Sequence, residues 1–172
     1  PEKMTGNPYK PPKTTADLVR LLADSNGWRR QLGQRLLVER QSKQAVPALR
    51  KLLTKSDAAL TRLHALWTLD GLAELTPGDM TRALDDKDVF VRRDAVRLLG
   101  RSLNKHPELF IKLAKLANDD DIRVRFQVAL ALGVTDDTRG AQLLTAIALR
   151  DGNDRWCTAA ILTSAEKRSG AI

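Results

Sequence analysis

The sequence predicts an all-α solenoid, a superhelix of about five stacked helix pairs, and three observations carry that prediction. From Thr14 onward Leu and Ala recur at spacings of three and four, the period of an amphipathic helix. Proline and aspartate punctuate the chain at short intervals, so the helices are short and numerous. A pattern of residues then returns about every 32 positions. A unit of that length cannot bury its apolar stripe alone and must stack on a neighbour.

Taken in order, residues 1–13 (PEKMTGNPYKPPK) hold four of the seven prolines and read as an extended arm, because proline removes backbone donors and restrains the residue before it. The opening Pro1-Glu2-Lys3, without an initiator Met, reads as a processed or excised piece. The repeat domain is expected over 14–172, with helices at 15–24, 28–41, 44–54, 57–73, 77–84, 88–104, 107–117, 121–133, 138–149 and 154–167. These fall into repeats of 15–41, 42–73, 76–104, 107–133 and 136–167. Pro77 and Pro107 stand at first helical positions, where a missing N–H is harmless. Gly100 and Gly133 stand where left-handed caps are expected. Aspartates gather at the junctions: Asp24, Asp57, Asp85, Asp86, Asp88, Asp119, Asp120, Asp121, Asp151 and Asp154. There they suit the unpaired N–H groups and the positive end of each helix.

The repeat is anchored on Arg29, Arg62, Arg92 and Arg125, which lie 33, 30 and 33 residues apart. Three positions after each comes Leu32, Ala65, Ala95 or Val128, and seven after each comes Leu36, Leu69, Leu99 or Leu132. A fifth copy places Cys157 in the anchor slot, followed by Ala160 and Ser164. Before each anchor comes Trp28, Thr61, Val91, Val124 or Trp156. Trp28 and Trp156 thus fall in one slot of the first and last copies, where bulk would shield an unpartnered end.

The stretch Ala45–Leu53, then Asp57, resembles the short HEAT-like repeat of the phycobilisome-lyase type, and Asp86–Gly100 and Asp120–Arg125 are similar to that repeat's second helix. The resemblance covers about 15–167. It implies a right-handed superhelix with first helices on the convex side and second helices on the concave side. It also implies anchor arginines that tie Asp side chains and helix-end carbonyls of adjacent repeats. Gly27–Leu37 and Asp154–Ser164 are similar to the HEAT segment of large membrane-bound dehydrogenase-like proteins of planctomycete and verrucomicrobial lineages. There such a segment lies between a β-propeller and a cytochrome c domain, which implies an accessory module, exported or periplasmic, with no catalytic residue of its own.

Charge and composition narrow the function. With 42% hydrophobic and 29% charged residues the chain has enough apolar surface to fold, and one cysteine leaves no disulfide framework. No apolar run approaches the roughly 20 residues of a membrane span, so no insertion is expected. No metal-ligating, nucleophile or phosphate-loop motif occurs, so no cofactor or metal is expected. Cys157 reads as a small buried hydrophobe, His106 as a turn residue, and Trp67 as a half-buried core residue. The net charge of +8 draws on 18 arginines, of which 12 fall on second helices or their first turns. Of the eight not used as anchors, Arg30, Arg35, Arg93, Arg97 and Arg101 are expected to face a shared groove with His64, Trp67 and Gln127.

Two functions compete. The favoured reading is a noncatalytic, monomeric scaffold that docks a protein partner or neighbouring domains of its own polypeptide. The alternative is a nucleic-acid binder: some alkylpurine DNA glycosylases are built from HEAT-like repeats, and Trp67, Asp94 and Arg97 would be its candidates. In the scaffold reading, Arg93 and Arg97 pair with Asp94 instead.

Overall fold

The computed structural model describes residues 12–135 and 137–166. The expected arm lies, but for its last two residues, outside the described residues, as does the end of the last expected helix. Among the described residues ten α-helices follow one another in antiparallel pairs: α1 (Thr15–Leu21), α2 (Gly27–Glu39), α3 (Val46–Lys55), α4 (Ala59–Gly71), α5 (Pro77–Leu84), α6 (Val89–Gly100), α7 (Phe110–Leu116), α8 (Ile122–Leu132), α9 (Gly140–Asp151) and α10 (Arg155–Glu166). Each odd helix packs on the even helix that follows it, and the even helices pack side by side from α2 to α10. Among the described residues there is no strand. The architecture is an α-solenoid of two helical layers.

The local reasons are legible at the helix starts. Thr14 and Thr76 form capping boxes with Asp17 and Asp79, so two orphan backbone donors are satisfied reciprocally. Asn26, Asp88 and Asp121 accept from the first N–H groups of α2, α6 and α8. One continuous core runs between the layers, built from Leu18, Leu37, Leu49, Leu69, Leu99 and Leu132 among others, all fully buried.

The helix ends differ from expectation. Helix α6 stops at Gly100, and a short 3-10 turn, Leu103–Lys105, takes up the rest of the expected 88–104 segment. Pro107 opens a 3-10 turn ahead of α7, and α3 is likewise preceded by one at Lys43–Ala45. Neither Gly100 nor Gly133 adopts a left-handed conformation. That conformation falls instead on Gln41 (φ 47°) and Ala73 (φ 56°). There the chain turns off α2 and α4 through paired reversals, Ser42 N–H to Leu37 O at 3.0 Å and Glu74 N–H to Leu69 O at 2.9 Å. The glycines serve close approach instead: a Cβ on Gly133 would lie 2.9 Å from Ser164 Cα, and one on Gly100 3.1 Å from Ala131 Cβ.

Candidate functional site

Three arginines at the start of second helices make the same set of bonds. The Arg62 fork donates to Asp86 with both distances 2.7 Å, and its other terminal nitrogen donates to the carbonyls of Ser56 and Asp57 at 2.8 and 2.9 Å. Arg92 does the same with Asp119 at 2.7 and 2.9 Å and with the carbonyls of Asp86 and Lys87. Arg125 holds Asp151 at 2.6 Å through both nitrogens and reaches the carbonyls of Asp119 and Asp120. Asp86 and Asp119 therefore belong to two rungs each, giving a carboxylate to one arginine and a carbonyl to the next. The result is a ladder along the edge where first helices turn into second ones.

Hydrogen bonding to the carboxylates favours the charged form of each guanidinium, outweighing partial burial. The Arg125 fork holds Asp151 below the ordinary carboxylate value despite burial. Burial works to raise Asp119, but Arg92 and the Asp121 N–H outweigh it and the net shift is downward.

In the first copy the structure moves the repeat by one residue. Arg30, not Arg29, donates to the two turn carbonyls, Asp24 O and Ser25 O, both at 2.8 Å. Gly33 and Leu37, three and seven positions on, are the buried ones, while Leu32 and Leu36 are only partly covered. Arg29 is exposed and reaches Asp24 at 3.2 Å. The pattern admits both registers because Arg29-Arg30 and Leu36-Leu37 are doublets; burial against α1 selects the second. Trp28 and Trp156 therefore do not share a slot. Neither is buried by the solenoid's end: they are 59% and 62% exposed.

The remaining groove candidates gather around separate depressions. His64 Nδ1 lies 2.6 Å from Gln34 Oε1 beside Arg35 and Trp67, in a depression of about 490 Å³. Burial first, then the Arg30 charge, lower the His64 pKa, so the ring is neutral and donates through Nδ1. Arg35 lies 3.6 Å from Glu39, with both side chains largely exposed. Trp67 is half-buried against the core, and its Nε1–H donates to Asp94 at 2.9 Å. Arg93 takes the other Asp94 oxygen at 2.7 Å, so both carboxylate oxygens are engaged. Arg101 pairs with Asp70 at 2.5 Å, and both Arg97 and Arg101 approach the Trp67 ring at 5.7 Å. Contrary to expectation, Arg97 does not pair with Asp94; among the described residues it forms no ion pair.

The larger opening, about 530 Å³, lies across α6, α8 and the start of α10. Of the expected groove residues Arg93, Arg97 and Gln127 line it, together with Ile122, Phe126 and Trp156, which the repeat pattern does not mark as groove residues. Arg123 also lines it and stacks on Phe90 at 4.7 Å. Exposed apolar residues at the first turn of a second helix were the available signal: Phe90 and Ile122 each stand on the solvent side, where an amphipathic helix ordinarily carries a polar side chain. Cys157 edges the opening but is itself buried, and burial, with Asp151 and Asp154 nearby, pushes its thiol up to about 11. His106 is partly covered, with Nδ1 3.3 Å from Glu108. No group of three or more His, Cys, Asp or Glu among the described residues could hold a metal ion. Nor is any helix among them long and apolar enough to cross a membrane.

A stack of helix pairs tied by a repeating arginine–aspartate ladder, with an open second-helix face, defines an α-solenoid repeat protein. The model of the family described as HEAT repeats matches residues 76–165, just over half of the chain. The chain belongs to the HEAT-repeat family. No curated protein matches it. Repeats of this family commonly serve as protein-interaction scaffolds and are generally noncatalytic.

Proposed function

We propose that the chain is a noncatalytic docking module that holds a protein partner, or a neighbouring domain of its own polypeptide, in the opening across α6, α8 and α10. The observation that carries the reading is the composition of that opening. Arg97 offers a cation with no ion pair among the described residues, next to exposed Trp156 and Ile122. A cation beside exposed apolar side chains is the make-up of a protein contact, with the apolar groups giving area and the cation giving orientation. The similarity of Gly27–Leu37 and Asp154–Ser164 to the HEAT segment of dehydrogenase-like proteins supports an accessory place in a larger bacterial polypeptide, between a propeller and a cytochrome c domain. The phycobilisome-lyase-type similarity supports the same noncatalytic role.

The nucleic-acid alternative draws no support from the family match. Asp94, its candidate acid or base, has both oxygens engaged by Trp67 and Arg93.

A photo-cross-linking residue at position 156 of the full-length polypeptide, compared with one at the exposed Ile111 of α7, tests the reading. Cross-links concentrated at 156 and lost with Arg97→Glu are expected. Equal yields at both positions, or yields at 156 unchanged by Arg97→Glu, would sink it.

A further inference from the structure

The charges around the opening across α6, α8 and α10 are unevenly committed. Both carboxylates that line it are already engaged. Asp94 accepts from the Trp67 Nε1–H at 2.9 Å and pairs with Arg93. One Asp154 oxygen accepts the backbone N–H groups of Trp156 and Cys157 at 3.0 and 2.9 Å, at the start of α10. Two of the lining arginines are engaged in turn, Arg93 by Asp94 and Arg123 by both oxygens of Asp121 at 2.9 and 2.7 Å. Arg97 is exposed, lies 5.7 Å from the Trp67 ring and has no ion pair among the described residues. Arg155, at the start of α10, also lacks an ion pair among the described residues and lies 4.6 Å over the Trp156 ring. The apolar part of the lining is Ile122, Phe126 and Trp156, the first and last of them exposed.

That distribution selects the occupant. Covering the apolar lining is favourable only for an apolar side chain. A guanidinium covered at the same time loses its water, and the loss is offset by an acceptor, best a carboxylate taken as a bidentate pair. A basic segment would meet like charge at Arg97 and Arg155. A nucleic-acid backbone gains by neutralising free cations along its length, and here Asp94 and Asp121 already neutralise Arg93 and Arg123. The net charge of +8 draws acidic surfaces toward the chain.

We propose that the opening takes a short acidic segment of a partner protein, which seats one aromatic or aliphatic side chain against Ile122, Phe126 and Trp156 and gives a carboxylate to Arg97. Arg155 takes a second carboxylate at the start of α10. This partner chemistry rests on the docking role proposed for the same opening, and adds to it the sign of the partner's charge and the apolar anchor.

The experiment follows the Trp156 indole N–H and Ile122 methyl resonances of the full chain, with the exposed Ile111 methyl of α7 as control. The probes, at matched ionic strength, are a short peptide with a phenylalanine flanked by glutamates, the same peptide with lysines for the glutamates, the glutamate peptide with alanine for the phenylalanine, and a short oligothymidylate. The glutamate–phenylalanine peptide should shift both resonances to saturation, leave Ile111 unmoved, and bind about tenfold or more tighter than either altered peptide. Arg97→Glu should reverse the preference between glutamate and lysine peptides, which a loss of folding would not do. Arg150→Glu, at an exposed arginine of α9 outside the opening, should leave the preference as it was. The acidic partner is overturned if the glutamate–phenylalanine peptide gives no saturating shift, if the lysine or alanine peptide binds as well, or if the oligothymidylate moves the same resonances at lower concentration. The docking role is judged separately, by the cross-links at position 156 of the full-length polypeptide. Cross-links that meet the docking test but join a segment without acidic residues leave that role standing and remove the acidic partner.

Discussion

Arg125 and Asp151 form a rung whose side chains are only 6% and 5% exposed. Their attraction offsets a large desolvation cost, so removing one partner strands a buried charge. Arg125→Ala should lower stability by about 3–5 kcal/mol, whereas Arg93→Ala, which breaks a more exposed pair, should cost about 1 kcal/mol or less. Similar urea midpoints for the two variants would refute the structural role. The same carboxylates give the fold its acid sensitivity. Asp119 and Asp151 are held below the ordinary carboxylate value of 3.8, and Asp121 is lowered to about 2, chiefly by its bonds from Arg123. Folded values below unfolded ones mean that the stabilisation is complete above pH 3.8 and is lost as pH falls through the folded values. Asp151→Asn should therefore be less stable at neutral pH and less sensitive to acid below pH 3.8 than the parent chain, measured as urea midpoints against pH.

At the scale of helices, the ends are set by contacts that residue type alone would misassign. Glycine near a helix end signals a left-handed cap, because it alone takes positive φ freely. Here Gly133 is required by the approach of Ser164, and the left-handed positions hold Gln41 and Ala73, both exposed. Ala73→Gly should raise stability by about 0.5–1 kcal/mol, since strain is relieved where no packing is lost, offset in part by the freer unfolded chain. Gly133→Ala should lower it by about 1–3 kcal/mol, because a methyl group against the α10 backbone forces the helices apart. Thermal or urea unfolding of the two variants, which are predicted to move in opposite directions, checks both. The helices' existence was legible because apolar spacing and capping residues are local properties. Their ends were not, because the choice between cap and contact is made by the neighbouring helix.

For the molecule as a whole, stability in a solenoid is a sum over junctions, and the junctions here are unequal. Those joining α4 to α6, α6 to α8, and α8 to the α9–α10 pair carry complete rungs, while α2 and α4 meet without one. Ser56 holds the position, six before the next anchor slot, that Asp86, Asp119 and Asp151 hold elsewhere. Amide exchange should be faster in α1 and α2 than in α6 and α8, and Ser56→Asp should narrow the difference; uniform protection would contradict this. Of the candidate site, the sequence grouped Arg93, Arg97 and Gln127 because all three lie on second helices, and in the structure these three line one opening. It joined them to Arg30 and Arg35 in one groove, which the structure divides. By itself the sequence determined the helical class, the repeat period and three of the four anchors, because these follow from spacing along one chain. Only the tertiary structure decided that Arg30 is the fourth, that Ser56 interrupts the ladder, and that Trp156 and Ile122 stay open beside Arg97. With arginine and leucine doublets both registers satisfy the local pattern equally, and only burial against the adjoining helices separates them.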